Sequence, residues 1–333
     1  MKAYITNMAY YLPEIIEFNE DIRLRKKTGI QQRHICKKDV TAADMAVLAA
    51  EKLFNAGVAR EKIDFLLFCT QSPDYPLPST ACILQKKLGL ANNCGALDFN
   101  LGCSGFVYGL GMAKGLIESG QAKQVLLLTS ETYSKYINPK DNAVRNLFGD
   151  AATATLLSGL DTELLGVFGN VFGTDGGKAK ELIVPVGGMR YRYSETAVST
   201  TEDKFGNIRT NQNLYMNGGA ITDFTLDIVP KVMESILLQT HLKKEDIDYY
   251  VFHQANKFIL KSLQQVCGLL NESFWIDVTE YGNTVSNTIP IALVDLMQSC
   301  NSKKLKKVLL IGFGVGLSWG GCVVDLSNSR IAM

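Results

Sequence analysis

A thiol, an imidazole and a carboxamide stand in three short segments whose residue types suit nucleophilic catalysis: Cys103 in DFNLGCSGF, His253 in YYVFHQAN and Asn283 in YGNT. The chain holds eight cysteines, at 36, 69, 82, 94, 103, 267, 300 and 322, and no two stand at CxxC spacing. That argues against a zinc site and a disulfide framework, so most of these thiols read as buried small hydrophobes. Cys103 differs by context. It follows an apolar strand-like run and opens a helical one, where unpaired backbone N–H groups and the positive end of the helix dipole favour thiolate, the reactive form. Gly102 and Gly105 beside it permit a tight turn and close approach of a substrate to the backbone. Of the three histidines, His34 and His241 lie among charged residues and read as exposed. His253 ends an apolar run at the C-terminal end of a strand, where α/β proteins commonly place catalysts. Asn283 follows Gly282 in a turn, from which its amide can donate to an oxyanion, and Thr284 or Ser286 is expected to cap the helix that follows. The glycines of GFGVGLSWGG (312–321) come after the strand-like VLLI and would let backbone N–H groups face a ligand.

These residues need elements to hold them, and the chain alternates apolar runs with helical patterns as α/β proteins do. A helix is predicted from Thr41 to Gly57, with Thr41 as N-cap and Asp44 three residues on, and another from Ser79 to Gly89. Strands are predicted at Phe65–Cys69, 95–99 and 124–130, and a Gly-studded helix runs from Cys103 to about Ser119. Its glycines cost helix propensity, which makes sense if the helix packs closely against a neighbour. The second half echoes the first. REKIDFLLFC and KEDIDYYVFH place Ile63 and Ile247 184 residues apart, and KQVLLL and KKVLLI place Val125 and Val308 183 apart. Two units recurring at nearly one offset predict a duplicated fold, with halves of 1–165 carrying Cys103 and 166–333 carrying His253 and Asn283. The offset sets His253 opposite Cys69. Residues 187–213 are polar and rich in Ser, Thr, Asn and Gly, and read as a solvated surface loop rather than a flap over a site.

With 333 residues, 47% hydrophobic and 20% charged, the chain can bury a large core, and a net charge of +1 gives no basic field for nucleic acid. No apolar run has the length of a signal peptide or a membrane span, so a soluble cytoplasmic protein without a membrane partner is expected.

Taken together, GCSGF, FHQAN, YGNT and GFGxGxSWG resemble the β-ketoacyl-acyl-carrier-protein synthase III family of the thiolase superfamily. TGIQQRHI (28–35), FGDAATA (148–154) and MNGG (216–219) fit the same pattern, so the resemblance spans nearly the whole chain. It implies an α/β, five-layered αβαβα fold of duplicated βαβ halves, a homodimer, no cofactor and no metal. The implied reaction is a decarboxylative Claisen condensation by a ping-pong route. Cys103 would take an acyl group from acyl-CoA or acyl-ACP. His253 and Asn283 would stabilise the enolate formed as malonyl-ACP loses CO2, since neither adds a charge that quenches a carbanion. The N–H of Cys103 and one from the Gly314–Gly316 loop would form the oxyanion hole. Asn256 would bind the pantetheine arm or an ordered water, and Gly218 the substrate.

Departures from the family pattern fall at the substrate contacts. Members that prime from acyl-CoA stack its adenine between a Trp and an Arg; here Arg23 stands at the Trp position and Lys27 at the Arg ahead of TGI. Asn142 stands at a second Arg, with Arg145 one helical turn away, and Val315 replaces the middle glycine of the loop, where positive φ would be costly. Asp223 aligns with a basic residue used for carrier-protein docking, leaving Lys257 and Lys261 for that role. Leu77 stands where a Phe projects into the partner's acyl pocket, which implies a primer larger than acetyl. These departures point to a pathway-specific priming enzyme. Three other readings compete: transfer of the acyl group to an amine or hydroxyl without decarboxylation, a cysteine or serine hydrolase using Cys103 or Ser104, and an acyl-binding protein without activity. The HQAN and GNT elements, which a hydrolase would leave unexplained, count against that reading.

Overall fold

The computed structural model describes residues 1–300 and 304–333. The chain begins with β1 (Lys2–Tyr11), then β2 (Ile15–Phe18) and β3 (Gln32–Ile35) with α1 (Ile22–Thr28) between them. There follow α2 (Ala42–Asn55), β4 (Phe65–Cys69), α3 (Thr80–Lys87), β5 (Gly95–Phe99), α4 (Gly105–Glu118), β6 (Gln124–Glu131), α5 (Asn142–Arg145) and β7 (Ala151–Leu160). The rest runs β8 (Val167–Thr174), the short strands β9 (Leu182–Ile183), β10 (Thr200–Glu202), β11 (Ile208–Thr210) and β12 (Tyr215–Met216), then α6 (Gly218–Thr240), β13 (Tyr249–Phe252), α7 (Lys257–Val266), α8 (Thr288–Ser299), β14 (Val308–Gly314), β15 (Ser318–Val324) and β16 (Arg330–Ile331).

Two sheets dominate, one ordered β16-β1-β7-β6-β4-β5 and one ordered β13-β14-β15-β8. Phe106, Val107 and Leu110 of α4 and Ile289, Leu293 and Leu296 of α8 share one buried cluster with Leu127 and Leu157 of the first sheet and Leu310 of the second. These two helices are therefore the middle layer. α2 and α3 cover the other face of the first sheet, and α6 and α7 that of the second, giving five layers αβαβα. The glycine cost in α4 has its expected reason: a Cβ on Gly109 would come within 2.6 Å of a Leu127 methyl. Cβ-less residues let this helix lie close on β6.

Local signals set most boundaries. Thr41 and Asp44 form the anticipated capping box of α2. Ser79 makes no side-chain cap; the first N–H groups of α3 go instead to the Asp98 carboxylate on β5, at 2.5 Å from Thr80 and Ala81. The internal echo has a physical basis. Phe65 pairs with Val125 and Tyr249 with Val308, both in parallel ladders. Asp64 accepts from the N–H groups of Lys123 and Gln124, and Asp248 from those of Lys306 and Lys307, so each aspartate pins its strand to the equivalent neighbour.

Candidate active site

Cys103 sits in the turn between β5 and α4, two residues before the helix starts, where Gly105 N–H donates to Gly102 O at 2.8 Å. Ser104 Oγ meets Ser318 Oγ at 2.7 Å and ties this turn to β15. The thiol is buried and lies against Gly314, whose Cβ, if it had one, would stand 2.8 Å from Cys103 Cβ and 2.9 Å from Sγ. The expectation of a thiolate-favouring site is overturned: burial and then the Glu131 carboxylate push the Cys103 pKa up to about 12. The N–H groups of Val315 and of Cys103 itself oppose that rise without cancelling it. Desolvation penalises the anion more than two amide dipoles repay. Val315 is not in the left-handed region, so the anticipated strain there does not arise.

His253 follows β13 directly, and its N–H donates to Ile311 O on β14 at 2.8 Å. Its ring is buried, edge-on to Phe313, and Nδ1 lies 2.7 Å from Thr288 Oγ1 at the start of α8. That hydroxyl also lies 3.1 Å from Val285 O. Burial drives the His253 pKa down to about 3, so the ring is neutral at physiological pH. Of the other histidines, His241 is exposed as expected, but His34 is half-buried on β3 with Nδ1 2.6 Å from Pro13 O.

Asn283 is held by its backbone, donating to Leu147 O at 2.8 Å and accepting from Gly149 N–H at 3.0 Å. Its Oδ1 accepts from Val285 N–H at 2.9 Å, with Val285 at φ 59°, a conformation costly for a β-branched residue. Fixing Oδ1 in this way leaves the Nδ2 donor for the site. Neither anticipated helix cap forms: α8 starts at Thr288, Ser286 Oγ donates to Glu131 at 3.1 Å, and Thr284 Oγ1 has no partner among the described residues.

Cys103, His253 and Asn283 line one cavity of about 610 Å³, together with Lys27, Gly218, Asn256, Phe313 and Gly314. Asn256 Oδ1 caps α7 by accepting from Ile259 N–H at 2.9 Å, which leaves its Nδ2 as the free end. A second cavity of about 570 Å³ is lined by Val315, Tyr133, Tyr136 and Tyr193, and Leu182 belongs to the walls of both. Cys103 packs in one cluster with Tyr133, Leu182 and Val315, which line the second cavity. One expected contact lies elsewhere: Arg145 lines a separate outer recess. Leu77, expected to meet the partner, is 82% exposed and lines neither cavity of its own chain. Lys257, expected to meet a carrier protein, is exposed on α7, packed along Gly29. The solvated-loop reading of 187–213 needs correction too: Phe205 lines the Cys103 cavity, and Gly187, Gly188 and Tyr193 line the second one. Its Arg209 is held by Asp141 at 2.7 Å and Asp203 at 3.0 Å.

Two functional groups escaped the sequence reading. Thr288 reads as an ordinary helix start. Glu131, fully buried at the end of β6, carried a signal in the acid that closes the apolar run QVLLLTSE. Its carboxyl accepts from Gln71 N–H, Ser72 Oγ and Ser286 Oγ, yet burial pushes its pKa up to about 8. Among the described residues no group of His, Cys, Asp or Glu is placed to hold a metal, and no helix is long and apolar enough to cross a membrane.

Residues 97–176 match the family model described as 3-oxoacyl-[acyl-carrier-protein (ACP)] synthase III, and residues 237–326 match that of its C-terminal part. The chain is 34% identical to a β-ketoacyl-[acyl-carrier-protein] synthase III of Caldanaerobacter subterraneus subsp. tengcongensis, over 98% of each protein. A 2.1 Å crystal structure of a 3-oxoacyl-(acyl-carrier-protein) synthase III superposes with a TM-score of 0.94 at 43% identity, covering 98% of this chain and all of that one. A 3-oxoacyl-(acyl-carrier protein) synthase structure from Burkholderia xenovorans LB400 superposes with a TM-score of 0.90 at 33% identity, over all of this chain and 96% of that one.

Proposed function

The chain belongs to the 3-oxoacyl-[acyl-carrier-protein] synthase III family, and from that membership we propose how its own residues perform the reaction. It is an acyltransferase that condenses an acyl group with malonyl-acyl-carrier protein, releasing CO2. Cys103 Sγ attacks the carbonyl of an acyl thioester. The new S–C bond replaces that of the donor, whose thiol departs with the Cys103 proton. A malonyl thioester then enters the same cavity. As its C–C bond to the carboxylate breaks, His253 Nε2–H and Asn283 Nδ2–H donate to the thioester oxygen that gains negative charge. The resulting carbanion attacks the acyl-Cys103 carbonyl, and Cys103 leaves as thiolate and recovers a proton from solvent. The N–H groups of Cys103 and Val315 serve the tetrahedral oxyanions.

The observation that carries this reading is the convergence of Cys103, His253 and Asn283 on one cavity. Thr288 Oγ1 lies 2.7 Å from His253 Nδ1 and 3.1 Å from Val285 O, and in this reading its proton goes to Nδ1, which leaves Nε2 protonated, the donor that an enolate needs. The competing reading, transfer to an amine or hydroxyl, asks for a general base, and a ring whose pKa is about 3 is a poor one.

The second cavity is assigned to the acyl chain, which suits a primer larger than acetyl in a pathway-specific enzyme. Two copies are expected to associate: β5 ends its sheet with one edge uncovered, and Leu97 on it and Leu77 near it are exposed. Eight free cysteines suit a reducing cytoplasm. The halves are taken as 1–165 and 166–333, meeting in the turn between β7 and β8. The test is to supply acyl donor and malonyl-carrier protein and to measure CO2 and 3-oxoacyl-carrier product together. One-to-one yield is expected; acyl transfer with no CO2 would favour the competing reading.

A further inference from the structure

The outer end of the Cys103 cavity is divided by charge. On one bank α1 carries Arg23, Arg25, Lys26 and Lys27, all exposed, and none pairs with a carboxylate among the described residues. Lys27 and Leu24 of this helix line the cavity itself. On the other bank lies a recess of about 440 Å³ that shares Leu24, Asn142 and Asn146 with the cavity and is rimmed by Glu17, Glu20 and Asp21. Two guanidiniums line this recess, and both are committed to Glu17, Arg33 at 3.1 Å and Arg145 at 3.5 Å. Arg33 donates further to Asn19 Oδ1, and Arg145 to Pro139 O.

The two forms of pantetheine thioester load such a mouth differently. Coenzyme A brings a nucleotide with a diphosphate and a 3′-phosphate, roughly four negative charges at neutral pH. In the recess these would face three carboxylates, and would have to displace Glu17 from both guanidiniums to gain a partner. A phosphopantetheine arm fixed to a protein brings one phosphodiester, and the rest of its charge lies on a macromolecular face outside. A ridge of four unpaired cations beside the mouth complements an acidic face of that kind. We infer that this chain takes its acyl donor, as well as its malonyl unit, from a carrier protein with an acidic face docked on α1, and not from coenzyme A. The inference rests on Cys103 being the acylated residue and adds the chemical class of the donor.

Rates of Cys103 acylation by one acyl group carried on carrier protein, on coenzyme A and on free pantetheine provide the test, read by intact mass at low salt. The carrier is expected to exceed coenzyme A by about tenfold or more, a lead that shrinks as salt is raised. Coenzyme A is expected to do no better than pantetheine, because its nucleotide finds no free cation in the recess. Joint substitution Arg25→Glu with Lys26→Glu should lower the carrier-to-pantetheine ratio about tenfold. Glu17→Gln, by freeing Arg145, should raise the coenzyme A-to-pantetheine ratio. A coenzyme A rate well above that of pantetheine in the unaltered protein would overturn the inference, as would a carrier ratio indifferent to α1. Failure of every thioester, pantetheine included, would instead bring down the assignment of Cys103.

Discussion

His253 Nδ1 and Thr288 Oγ1 lie 2.7 Å apart, joining the end of β13 to the start of α8 across 35 residues of chain. Condensation needs the tautomer in which Thr288 Oγ1 donates to Nδ1, not to Val285 O at 3.1 Å, so that His253 offers Nε2–H to substrate. Thr288→Val leaves Nδ1 unpartnered in a buried site, a loss of about 1–3 kcal/mol that corresponds to roughly 5- to 150-fold. The expected outcome is a fall of that order in malonyl decarboxylation, larger than any change in Cys103 acylation, with Thr288→Ser restoring the rate. Decarboxylation at the unaltered rate in Thr288→Val would show that the contact does not set the tautomer.

Gly314 is where the thiol needs room. An added methyl would stand 2.9 Å from Cys103 Sγ. Gly314→Ala is expected to destabilise the fold by about 1–3 kcal/mol and to slow acylation about tenfold, because Cys103 must rotate away from the Val315 N–H. Thermal unfolding and intact-mass rates check the two parts separately.

Burial and Glu131 hold the Cys103 pKa near 12. Alkylation by iodoacetamide at this residue should rise steeply with pH from neutrality through pH 9, with peptide mapping to separate it from the exposed Cys82. The Glu131 carboxyl itself ionises near pH 8, so its charge opposes thiolate mostly above that value. Glu131→Gln should therefore speed alkylation of Cys103 at alkaline pH and change it little below neutrality.

His253 links stability to pH. Its folded pKa of about 3 lies below the unfolded value of 6.5, so the unfolded chain binds the extra proton between them. The stabilising preference for the neutral ring is complete above pH 6.5 and is lost as pH falls toward 3. Glu131 acts oppositely, its raised pKa favouring folding below pH 4.5 and less so as pH rises to 8. Comparing His253→Asn with the unaltered protein cancels the Glu131 contribution. The variant should lose stability more slowly between pH 6.5 and 4; identical slopes would mean that the ring is hydrated in the fold.

The parts of the molecule legible in sequence are those written in neighbouring residues. The capping box of Thr41 and Asp44, the strand endings at Cys69 and Phe252, and the Gly-rich α4 all rest on local spacing. The α/β class followed from alternation, and the five layers from the family resemblance. What escaped depends on distant partners. Thr288 gains its importance from a residue 35 positions away, and Glu131 from Ser72, 59 positions away. The place of Cys103 at a helix start is legible, but the dipole is a local property and burial is not, so its neighbours in sequence point its pKa the wrong way. Ser286 looked like a cap and instead turned inward to Glu131. The two-residue β16 carries no signal that it crosses back to pair with β1 of the first sheet.

The central claim is that Cys103 carries the acyl group and that His253 and Asn283 discharge it by condensation. Intact-mass measurement in two stages tests it most directly, first with an acyl thioester and then with malonyl-carrier protein. The unaltered chain should gain one acyl mass, absent in Cys103→Ala, and lose it when malonyl-carrier protein is added. His253→Ala and Asn283→Ala should gain the acyl mass and retain it through the second stage. Acylation that persists in Cys103→Ala, or discharge by malonyl-carrier protein that is indifferent to His253 and Asn283, would contradict the claim.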